Sequence, residues 1–569
     1  MILNYVKPYY RKVFLGMGMK LLGTIAELFI PYVLAHIIDD ITPQRDMGLV
    51  VTWGAIMFLC AFFAVCANIY ANRVAASVAR DSTRMIRHDL FEKIIYLSNR
   101  QVDKMTIPSL ISRMTSDTYI IHRMIGMIQR LGVRAPIMIL GGLVVTSTLD
   151  PALAAILAAI IPFLGISVFT ISRKGLPMFR ALQESMDEMV RVVRENAAGI
   201  RVIKALSKTD YESARFEAVN SNVVKKENKA NMTMAMNSPV MNILLNTGLV
   251  AVIIVGAYRV NLGLTAVGKI MAFLTYFTMI LQAVMGVNRI ITQSSKAIAS
   301  ANRISEVLES ESELIQVEGS KGSGDYHVEF KNVSFSYEKV EDNLSDISFQ
   351  LEKGQTLGII GPTGAGKSTI ASLLMRLYDI DKGDIFIDGK DIRGMDIKEL
   401  RSRFGVVFQN DAVFKNTISG NIKLNRKIQD EDMVKAAKSA QAYNYITEAG
   451  GFNHDIEARG TNLSGGQKQR LLISRALAGD PDILILDDSS SALDYKTDME
   501  LRRAIHENYT QVTTIIIAQR VSSVRNCDKI LVIDEGKVIG YGTHGELIEN
   551  NELYMEINAL QVGEVEKYA

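Results

Sequence analysis

Six long apolar runs occupy the first 300 residues of this chain, and they restrict its possible folds more than any other feature. A helix needs about 20 mostly apolar residues to cross the ~30 Å hydrocarbon core of a membrane. The whole-chain average hides the runs, because 48% hydrophobic residues is ordinary for a soluble protein. The sequence predicts six membrane-spanning helices, near residues 14–38, 49–72, 135–149, 151–171, 239–260 and 268–292.

Two long segments between the predicted spans, roughly 74–132 and 172–237, are rich in arginine and lysine. Because positively charged loops stay in the cytoplasm, we expect both segments and both termini to be cytoplasmic. Their helical composition predicts two hairpins that extend the spans by ~45 Å, if each arm has about 30 residues. Two separate helical bundles are the less favoured alternative, since neither segment carries a core of its own.

Charge and cysteine content exclude several classes of protein. A net charge of +2, without a basic stripe that alternates with aromatic residues, argues against a nucleic-acid partner. Three scattered cysteines are too few for a disulfide framework or a structural metal site. The N-terminal sequence lacks the apolar stretch and cleavage site of a signal peptide. We therefore expect a multi-pass protein of the plasma (inner) membrane, in contact with lipid, in a bacterium.

Glu27 lies inside the first predicted span, where a carboxylate is costly and by default suggests function. Lys20 stands seven residues earlier, on the same helical face. Two interpretations stay open. Glu27 belongs to the substrate pathway, where it would favour cationic amphipathic compounds, or it is half of a buried structural pair.

The pattern changes after about Arg303. Residues 309–327 are first acidic and then rich in glycine and serine, which predicts a linker. Strand and helix signals follow to the end of the chain. The predicted fold is a multidomain membrane protein: an all-α six-helix transmembrane domain with long cytoplasmic helical extensions over 1–308, the linker over 309–327, and an α/β P-loop nucleotide-binding domain over 328–569.

A glycine-rich loop follows the apolar strand predicted at Thr356–Ile360. In such loops backbone N–H groups surround phosphates, the lysine reaches the β- and γ-oxygens, and the hydroxyl binds Mg²⁺. A second apolar strand, Ile483–Leu486, ends in an aspartate that can hold the water shell of Mg²⁺. Further strands at Val406–Phe408 and Ile515–Ala518 complete a predicted parallel sheet. The predicted ATP-binding residues here are Gly361, Pro362, Thr363, Gly364, Ala365, Gly366, Lys367, Ser368, Thr369 and Asp487.

Further motifs accompany the P-loop: LSGGQKQR at Leu463–Arg470, LDDSSSALD at Leu486–Asp494, Gln409 after VVF, and Tyr337 in VSFSY. Together they resemble the motif set of ATP-binding cassette (ABC) proteins. With six spans ahead, nearly the whole chain resembles a half-transporter of the exporter type.

That resemblance assigns roles to residues and implies ATP and Mg²⁺ as cofactors. It implies that Tyr337 stacks on adenine, and that Gln409 senses the γ-phosphate and joins Ser368 and Asp487 at the metal. It also implies coupling segments in the long cytoplasmic loops, with candidates at 112–124 and 195–206. The residues implied to complete the ATP site of a partner chain are Leu463, Ser464, Gly465, Gly466, Gln467 and Asp494.

Two positions depart from the pattern of family members that hydrolyse ATP. The chain has Asp488 where those members usually have the glutamate that orients the attacking water, and Gln519 where they have histidine. Aspartate is one methylene shorter, and a general base needs hydrogen-bond reach of ~2.6–3.2 Å. Glutamine can donate a hydrogen bond but cannot carry a proton near neutral pH. These changes predict a site that binds ATP and hydrolyses it poorly.

The sequence therefore predicts an ATP-hydrolysing translocase that exports amphipathic drugs, lipids or peptides by alternating access. This chain would be the degenerate-site subunit of a heterodimer, paired with a second half-transporter that carries the intact glutamate and histidine. Two alternatives stay open. One is a self-sufficient homodimeric exporter, and the other is an ATP-gated membrane sensor or channel.

Overall fold

The computed structural model describes residues 2–311, 314, 321–322, 324–339, 341–409, 411–489 and 491–568. Much of the predicted linker over 309–327 lies outside these residues. Contacts within the chain divide it into two compact units. The first comprises Met1–Ile95 with Ile107–Ser310, and the second comprises Tyr96–Thr106 with Glu311–Ala569.

In the described part of the first unit, six helical segments are long and apolar enough to cross a membrane, which confirms the six predicted spans. They are Ile2–Gln44, Met47–Ile95, Ile107–Leu149, Pro151–Ala198, Thr209–Asn261 and Val267–Leu308, called spans one to six below. Their α-helices are Ile2–Val6, Tyr10–His36, Met47–Ile95, Ile107–Ser112, Thr118–Leu149, Pro151–Ala198, Thr209–Ala235, Asn237–Asn261 and Val267–Leu308, and the short helix Ile200–Ala205 precedes span five.

The helices continue far beyond the apolar runs, as the amphipathic composition of the long segments predicts. Span two is one helix of 49 residues, which corresponds to ~74 Å at 1.5 Å per residue. Spans three and four are separated by Asp150 alone, whose carboxylate caps the next helix by accepting the N–H groups of Ala152 and Leu153.

Aromatic residues of span six pack the interior of the first unit. Phe273, Tyr276 and Phe277 are at most 2% exposed. The Tyr276 hydroxyl donates to the backbone oxygen of Leu28 at 2.6 Å, so this aromatic stripe fastens span six to span one.

Within the residues that the structure describes, the second unit contains twelve strands. They are β1 Val328–Phe335, β2 Leu344–Leu351, β3 Thr356–Ile360, β4 Lys382–Ile387, β5 Lys390–Asp391, β6 Phe404–Val407, β7 Asn416–Thr417, β8 Asp455–Ile456, β9 Ile483–Asp487, β10 Thr513–Ile517, β11 Lys529–Asp534 and β12 Lys537–Gly542. The principal sheet has the order β12-β11-β3-β10-β9-β6, and a second sheet has the order β2-β1-β4-β5. Strands β6, β9, β10, β3 and β11 run parallel, and the first four correspond to the strands predicted for the parallel sheet.

The helices of the second unit cover these sheets and carry the motifs at their ends. They are Asn99–Met105, Lys367–Leu374, Ile397–Ser402, Ile418–Lys423, Asp430–Ser439, Tyr443–Glu448, Gly465–Leu477, Tyr495–Asn508, Val521–Val524, His544–Asn550 and Glu552–Tyr568. The carboxyl ends of β3, β9 and β10 meet at one edge of the sheet, which is where ligands bind in open α/β folds.

Candidate functional site

The glycine-rich loop leaves the end of β3 and enters the helix Lys367–Leu374. Gly361 has φ +157°, and a Cβ there would lie 1.9 Å from the backbone oxygen of Ile533 on β11. Only glycine fits this close approach. The loop can therefore turn its N–H groups inward, which is the geometry that binds phosphate at a helix N-terminus.

Lys367 and Asp487 are the two buried charges of the site. The Lys367 ammonium donates to the backbone oxygens of Gly361 and Pro362 at 2.9 and 2.7 Å, which holds it beside the loop. Burial lowers the pKa of Lys367, and the nearby carboxylates oppose that shift. Burial also raises the pKa of Asp487, against the hydrogen bond from the Ser368 hydroxyl. Burial thus disfavours the charged form of both groups. Bound phosphate would stabilise the charged Lys367, and a bound cation would stabilise the charged Asp487.

The residues predicted to hold Mg²⁺ fit that ion. Ser368, Asp487 and Gln409 all line the same cavity. A hydroxyl, a carboxylate and an amide oxygen are the hard donors that Mg²⁺ prefers. When bound, Mg²⁺ supplies charge neutralisation at the β- and γ-phosphate oxygens.

Tyr337 forms an aromatic surface at the other end of the cavity. Its ring packs edge-on against Phe335 and Tyr378, with centroid separations of 4.8 and 5.1 Å. Its hydroxyl lies 3.1 Å from the Thr369 hydroxyl, which ties the ring to the phosphate-binding helix. The Tyr337 ring is partly exposed and lines the cavity, as stacking on a purine base requires.

The structure brings the predicted chemical residues into the same cavity, which has a volume of about 240 Å³. Asp488, Gln409 and Gln519 all line it, beside Asp487 and Lys367. The Gln409 amide approaches the Asp488 carboxylate at 3.5 Å, the outer limit of a hydrogen bond. Residues separated by 110 positions in sequence thus converge on the place where the terminal phosphate of ATP would lie.

Gln561, in the last helix, is a residue that the sequence analysis missed. Its amide donates to the backbone oxygen of Gln519 at 2.9 Å and accepts from the N–H of Val521 at 2.7 Å. This pair of bonds holds the loop that carries Gln519. No local pattern in the sequence signals such a contact across 42 positions.

The signature residues lie apart from this cavity. Among the residues that the structure describes, those lining it include none of Leu463–Gln467. Ser464 instead begins the helix Gly465–Leu477, where it forms a reciprocal capping box with Gln467. Asp494 similarly caps Tyr495–Asn508 by accepting from Thr497 at 2.9 Å. The signature is folded, partly exposed, and oriented as a helix N-terminus that could receive phosphate from another chain.

A segment of the first long loop, which the sequence analysis did not single out, belongs to the nucleotide-binding unit. The candidate at 112–124 falls in the first unit, whereas Tyr96–Thr106 falls in the second. Arg100 donates to the backbone oxygens of Ser336 and Tyr337 at 2.9 and 3.3 Å.

Asp103 makes a second contact from the same segment. Its carboxylate accepts a hydrogen bond from the Tyr378 hydroxyl at 2.6 Å. Burial raises the pKa of Tyr378, and the Asp103 carboxylate raises it further. A signal for the segment was present, because Ser98-x-x-Gln101 is a capping-box motif, and both of its bonds form.

Glu27 is paired differently from the sequence-based expectation. Its carboxylate accepts a hydrogen bond from the Arg134 guanidinium at 2.6 Å, and this ion pair connects span one to span three. Lys20 is buried and donates to the Asn72 side chain at 3.3 Å. The interpretation of Glu27 as half of a structural pair gains support, although the partner is Arg134.

Comparisons with known proteins agree with this architecture. The model of the ABC transporter transmembrane region matches residues 13–284, and the ABC transporter model matches residues 344–491. The chain is 34% identical to the uncharacterized ABC transporter ATP-binding protein YfiB of Bacillus subtilis (strain 168), over 99% of this chain and 98% of that one. It is 28% identical to an ATP-dependent lipid A-core flippase of Pseudomonas fluorescens, over 99% and 96%.

A solved structure of a bacterial Atm1-family ABC exporter with ATP bound has the same fold, with a TM-score of 0.81, 24% identity and coverage of 97% of this chain and 98% of that one. This chain belongs to the ABC transporter family. It is a multi-pass, ATP-binding half-transporter with an exporter fold, of the class that couples ATP hydrolysis to export as a dimer.

Proposed function

We propose that this chain is the degenerate-site subunit of a heterodimeric exporter for amphipathic substrates. Its own site retains MgATP and hydrolyses it slowly, and its signature completes the catalytic site of a different partner chain. One observation carries the proposal. Asp488 and Gln519 line the same cavity as the intact P-loop and Asp487, so two altered residues stand where the terminal phosphate would react.

The backbone at Asp488 supports slow hydrolysis. Its N–H donates to the backbone oxygen of Ile517 at 2.9 Å, and its φ is +47°. Because this bond anchors the main chain between β9 and β10, the main chain cannot advance to compensate for the shorter side chain. The carboxylate then stands more than ~1 Å short of the position that a glutamate would reach, and such a displacement can cost about 10²-fold in rate.

Gln519, which follows the neighbouring strand β10 and lines the same cavity, supports the same conclusion. An amide can donate to a phosphate oxygen, so ATP binding survives, but it cannot take or return a proton. Gln561 holds the loop that carries Gln519, so Gln519 is an ordered residue of the proposed binding site. We therefore expect the site to bind ATP without stabilising the transition state of its hydrolysis to the same extent.

The intact signature suits a role in a partner's site. Ser464 and Gln467 complete their capping box, which leaves the helix N-terminus ordered for phosphate. We expect the partner to carry glutamate and histidine at the two altered positions, and a damaged signature of its own. ATP retained in the degenerate site would favour a partly closed pair of cassettes between cycles, which is a shift of population.

The proposal extends to location and substrate. The arginine-rich loops favour cytoplasmic termini, and we propose the plasma (inner) membrane of a bacterium as the location. The lipid A-core flippase among the relatives makes lipids reasonable candidates beside drugs and peptides. When the two nucleotide-binding domains close around ATP, the helical extensions would transmit that closure to the membrane spans. The substrate cavity between the spans would then change from inward-facing to outward-facing.

The test is nucleotide occupancy in single-turnover conditions. The purified chain and the co-expressed pair are loaded with radiolabelled ATP, and ATP and ADP are quantified over time. We expect uncleaved ATP to persist on this subunit while the pair turns over. Rapid hydrolysis by this chain alone, undiminished by Asp488→Ala, would falsify the degenerate site, and loss of that hydrolysis with Asp488→Ala would support the homodimer. A channel would show flux only down a gradient in vesicles.

A further inference from the structure

The last helix of the chain, Glu552–Tyr568, is fastened to the principal sheet at its start. Asn551 donates to the backbone oxygen of Ile539 on β12 at 2.8 Å and accepts from the N–H of Tyr554 at 2.8 Å. The Tyr554 side chain is fully buried, and its hydroxyl lies 2.7 Å from Nδ1 of His544. The first turn of this helix therefore has a fixed position relative to the sheet.

One face of the helix continues from this anchor toward the nucleotide cavity. Tyr554, Ile557 and Gln561 are separated by three and four positions, so they follow one helical face. Tyr554 belongs to the same buried apolar cluster as Ala518 and Val521, and Ile557 packs against that cluster. Because each residue advances a helix by about 1.5 Å, the Gln561 backbone lies ~10 Å beyond that of Tyr554. The helix thereby brings the Gln561 amide to the loop that follows β10.

The short helix Val521–Val524 begins without a capping side chain from its own segment. Its N-cap residue is Arg520, which forms no capping bond and whose guanidinium has no acceptor atom. The first N–H groups of a helix need a partner from outside it. Gln561 supplies that partner, because its Oε1 accepts from the N–H of Val521 at 2.7 Å. Its Nε2 donates to the backbone oxygen of Gln519 at 2.9 Å, on the other side of Arg520.

This pair of bonds requires a side chain with both a donor and an acceptor. The Gln519 oxygen needs a donor and the Val521 N–H needs an acceptor, and an amide carries both, whereas a carboxylate only accepts. Because the two bonds lie on either side of residue 520, they fix the main chain that carries the Gln519 side chain. Gln519 lines the nucleotide cavity together with Lys367 and Asp488. The orientation of Gln519 at the cavity therefore depends on the last helix.

We propose that Gln561 is a positioning residue that gives this site its preference for ATP over ADP. It holds the Gln519 amide where that amide donates to a γ-phosphate oxygen, which ADP lacks. The α- and β-phosphates are bound by the glycine-rich loop after β3, so their binding does not require Gln561. The assignment rests on the proposed function, because it needs the terminal phosphate beside Gln519.

The test is equilibrium nucleotide binding to the purified full chain with Mg²⁺. The two probes are ADP and AMP-PNP, an ATP analogue that is not hydrolysed. Gln561→Met keeps the length of the side chain and removes both hydrogen bonds. We expect its Kd for AMP-PNP to rise about tenfold, the equivalent of one hydrogen bond to a charged phosphate oxygen. Its Kd for ADP should change less than twofold, which also shows that the variant is folded.

Equal losses of affinity for both nucleotides, or no loss for either, would overturn the proposal. The matched control is Asn558→Leu, which removes an amide about one turn earlier on the same helix. It should change neither Kd more than twofold. A loss of AMP-PNP affinity equal to that of Gln561→Met would assign the effect to the helix as a whole and would contradict a specific role of Gln561.

A double-variant cycle separates positioning from a general structural role. Gln519→Ala should also raise the Kd for AMP-PNP about tenfold, because it removes the same bond to the γ-phosphate. In that background, Gln561→Met should add less than a further twofold, since the side chain that it positions is gone. Losses that multiply in the double variant would show that Gln561 acts independently of Gln519 and would overturn the proposal.

Gln561→Glu is a second variant that separates the two bonds. Its carboxylate keeps an acceptor for the Val521 N–H and loses the donor to the Gln519 oxygen. We expect a severalfold rise in the Kd for AMP-PNP, with less than a twofold change for ADP. Wild-type affinity for AMP-PNP in this variant would overturn the role of the bond to Gln519.

The outcome of these experiments is separable from that of the proposed function. Because AMP-PNP is not hydrolysed, the binding measurements do not depend on the reactivity of Asp488. Their failure would remove the role of Gln561 and leave the slowly hydrolysing site in place. Conversely, rapid ATP hydrolysis by this chain alone would refute the degenerate site, while a selective loss of AMP-PNP affinity would still support the role of Gln561.

Discussion

The two faces of the nucleotide-binding unit retain different parts of the same machinery. On the cavity face, the P-loop, Lys367 and Asp487 are intact while Asp488 and Gln519 are altered. On the signature face, the motif is intact and its helix is capped through Ser464. Under the proposed function, this contrast separates binding from chemistry, because the two depend on different side chains around one phosphate.

The largest effect is expected from breaking the signature face. Ser464→Asp preserves the N-cap, since aspartate caps as well as serine. It adds a negative charge where phosphate from the partner's ATP would lie, and such like-charge contacts cost several kcal/mol. We expect the ATPase rate of the co-expressed pair to fall by about 10²-fold or more. Ser464→Asn is the matched neutral control, and an equal loss in that variant would assign the effect to size.

Restoring the cavity face should produce the next largest effect. In the double variant, Asp488→Glu restores the longer carboxylate side chain that can reach the attacking water, and Gln519→His restores a titratable ring. We expect ATP hydrolysis on this subunit to rise by about 10²-fold, which corresponds to the misplacement that the shorter carboxylate causes. Single-turnover assays with each single variant measure the two contributions, and an unchanged rate in the double variant would contradict our account of Asp488.

Removing the aromatic surface should weaken ATP binding itself. Base stacking on an aromatic side chain contributes about 1–3 kcal/mol. Tyr337→Ala should therefore raise the Kd for ATP by about 10- to 100-fold, measured with a fluorescent nucleotide. Tyr337→Phe keeps the ring and loses the contact with Thr369, so its Kd should change by less than about fivefold. Equal losses in both variants would argue against stacking.

The smallest effect concerns Asp103 and Tyr378. Tyr378→Phe keeps the ring that packs against Tyr337 and removes the hydroxyl that donates to Asp103. We expect hydrogen-exchange protection of residues 99–105 to fall by about 1 kcal/mol, with little change in ATP affinity. Asp103→Asn and the double variant complete a cycle, and additive effects would show that the pair is not coupled.

The elements that depend on residues close together in the chain could be predicted from the sequence, because each corresponds to a short sequence pattern. Apolar runs specify spans, and the strand–loop–helix context of Gly361–Ser368 specifies the phosphate-binding loop. The strand predicted at 406–408 is instead Phe404–Val407, since strand ends depend on pairing with β9.

What the sequence could not supply depends on contacts between distant segments. Arg134 is 107 positions from Glu27, and Gln561 is 42 positions from Gln519. Neither pairing leaves a periodic trace in one sequence. The segment at 99–105 differs, because its capping box at Ser98 is a local pattern that the sequence analysis did not use.

The amide of Gln561 has a practical consequence for anyone who handles this protein. It lies in the helix Glu552–Tyr568 and forms hydrogen bonds to both Gln519 and Val521. A purification tag that distorts the last helix, or a truncation before residue 561, would loosen a loop at the nucleotide while leaving every recognised motif in place.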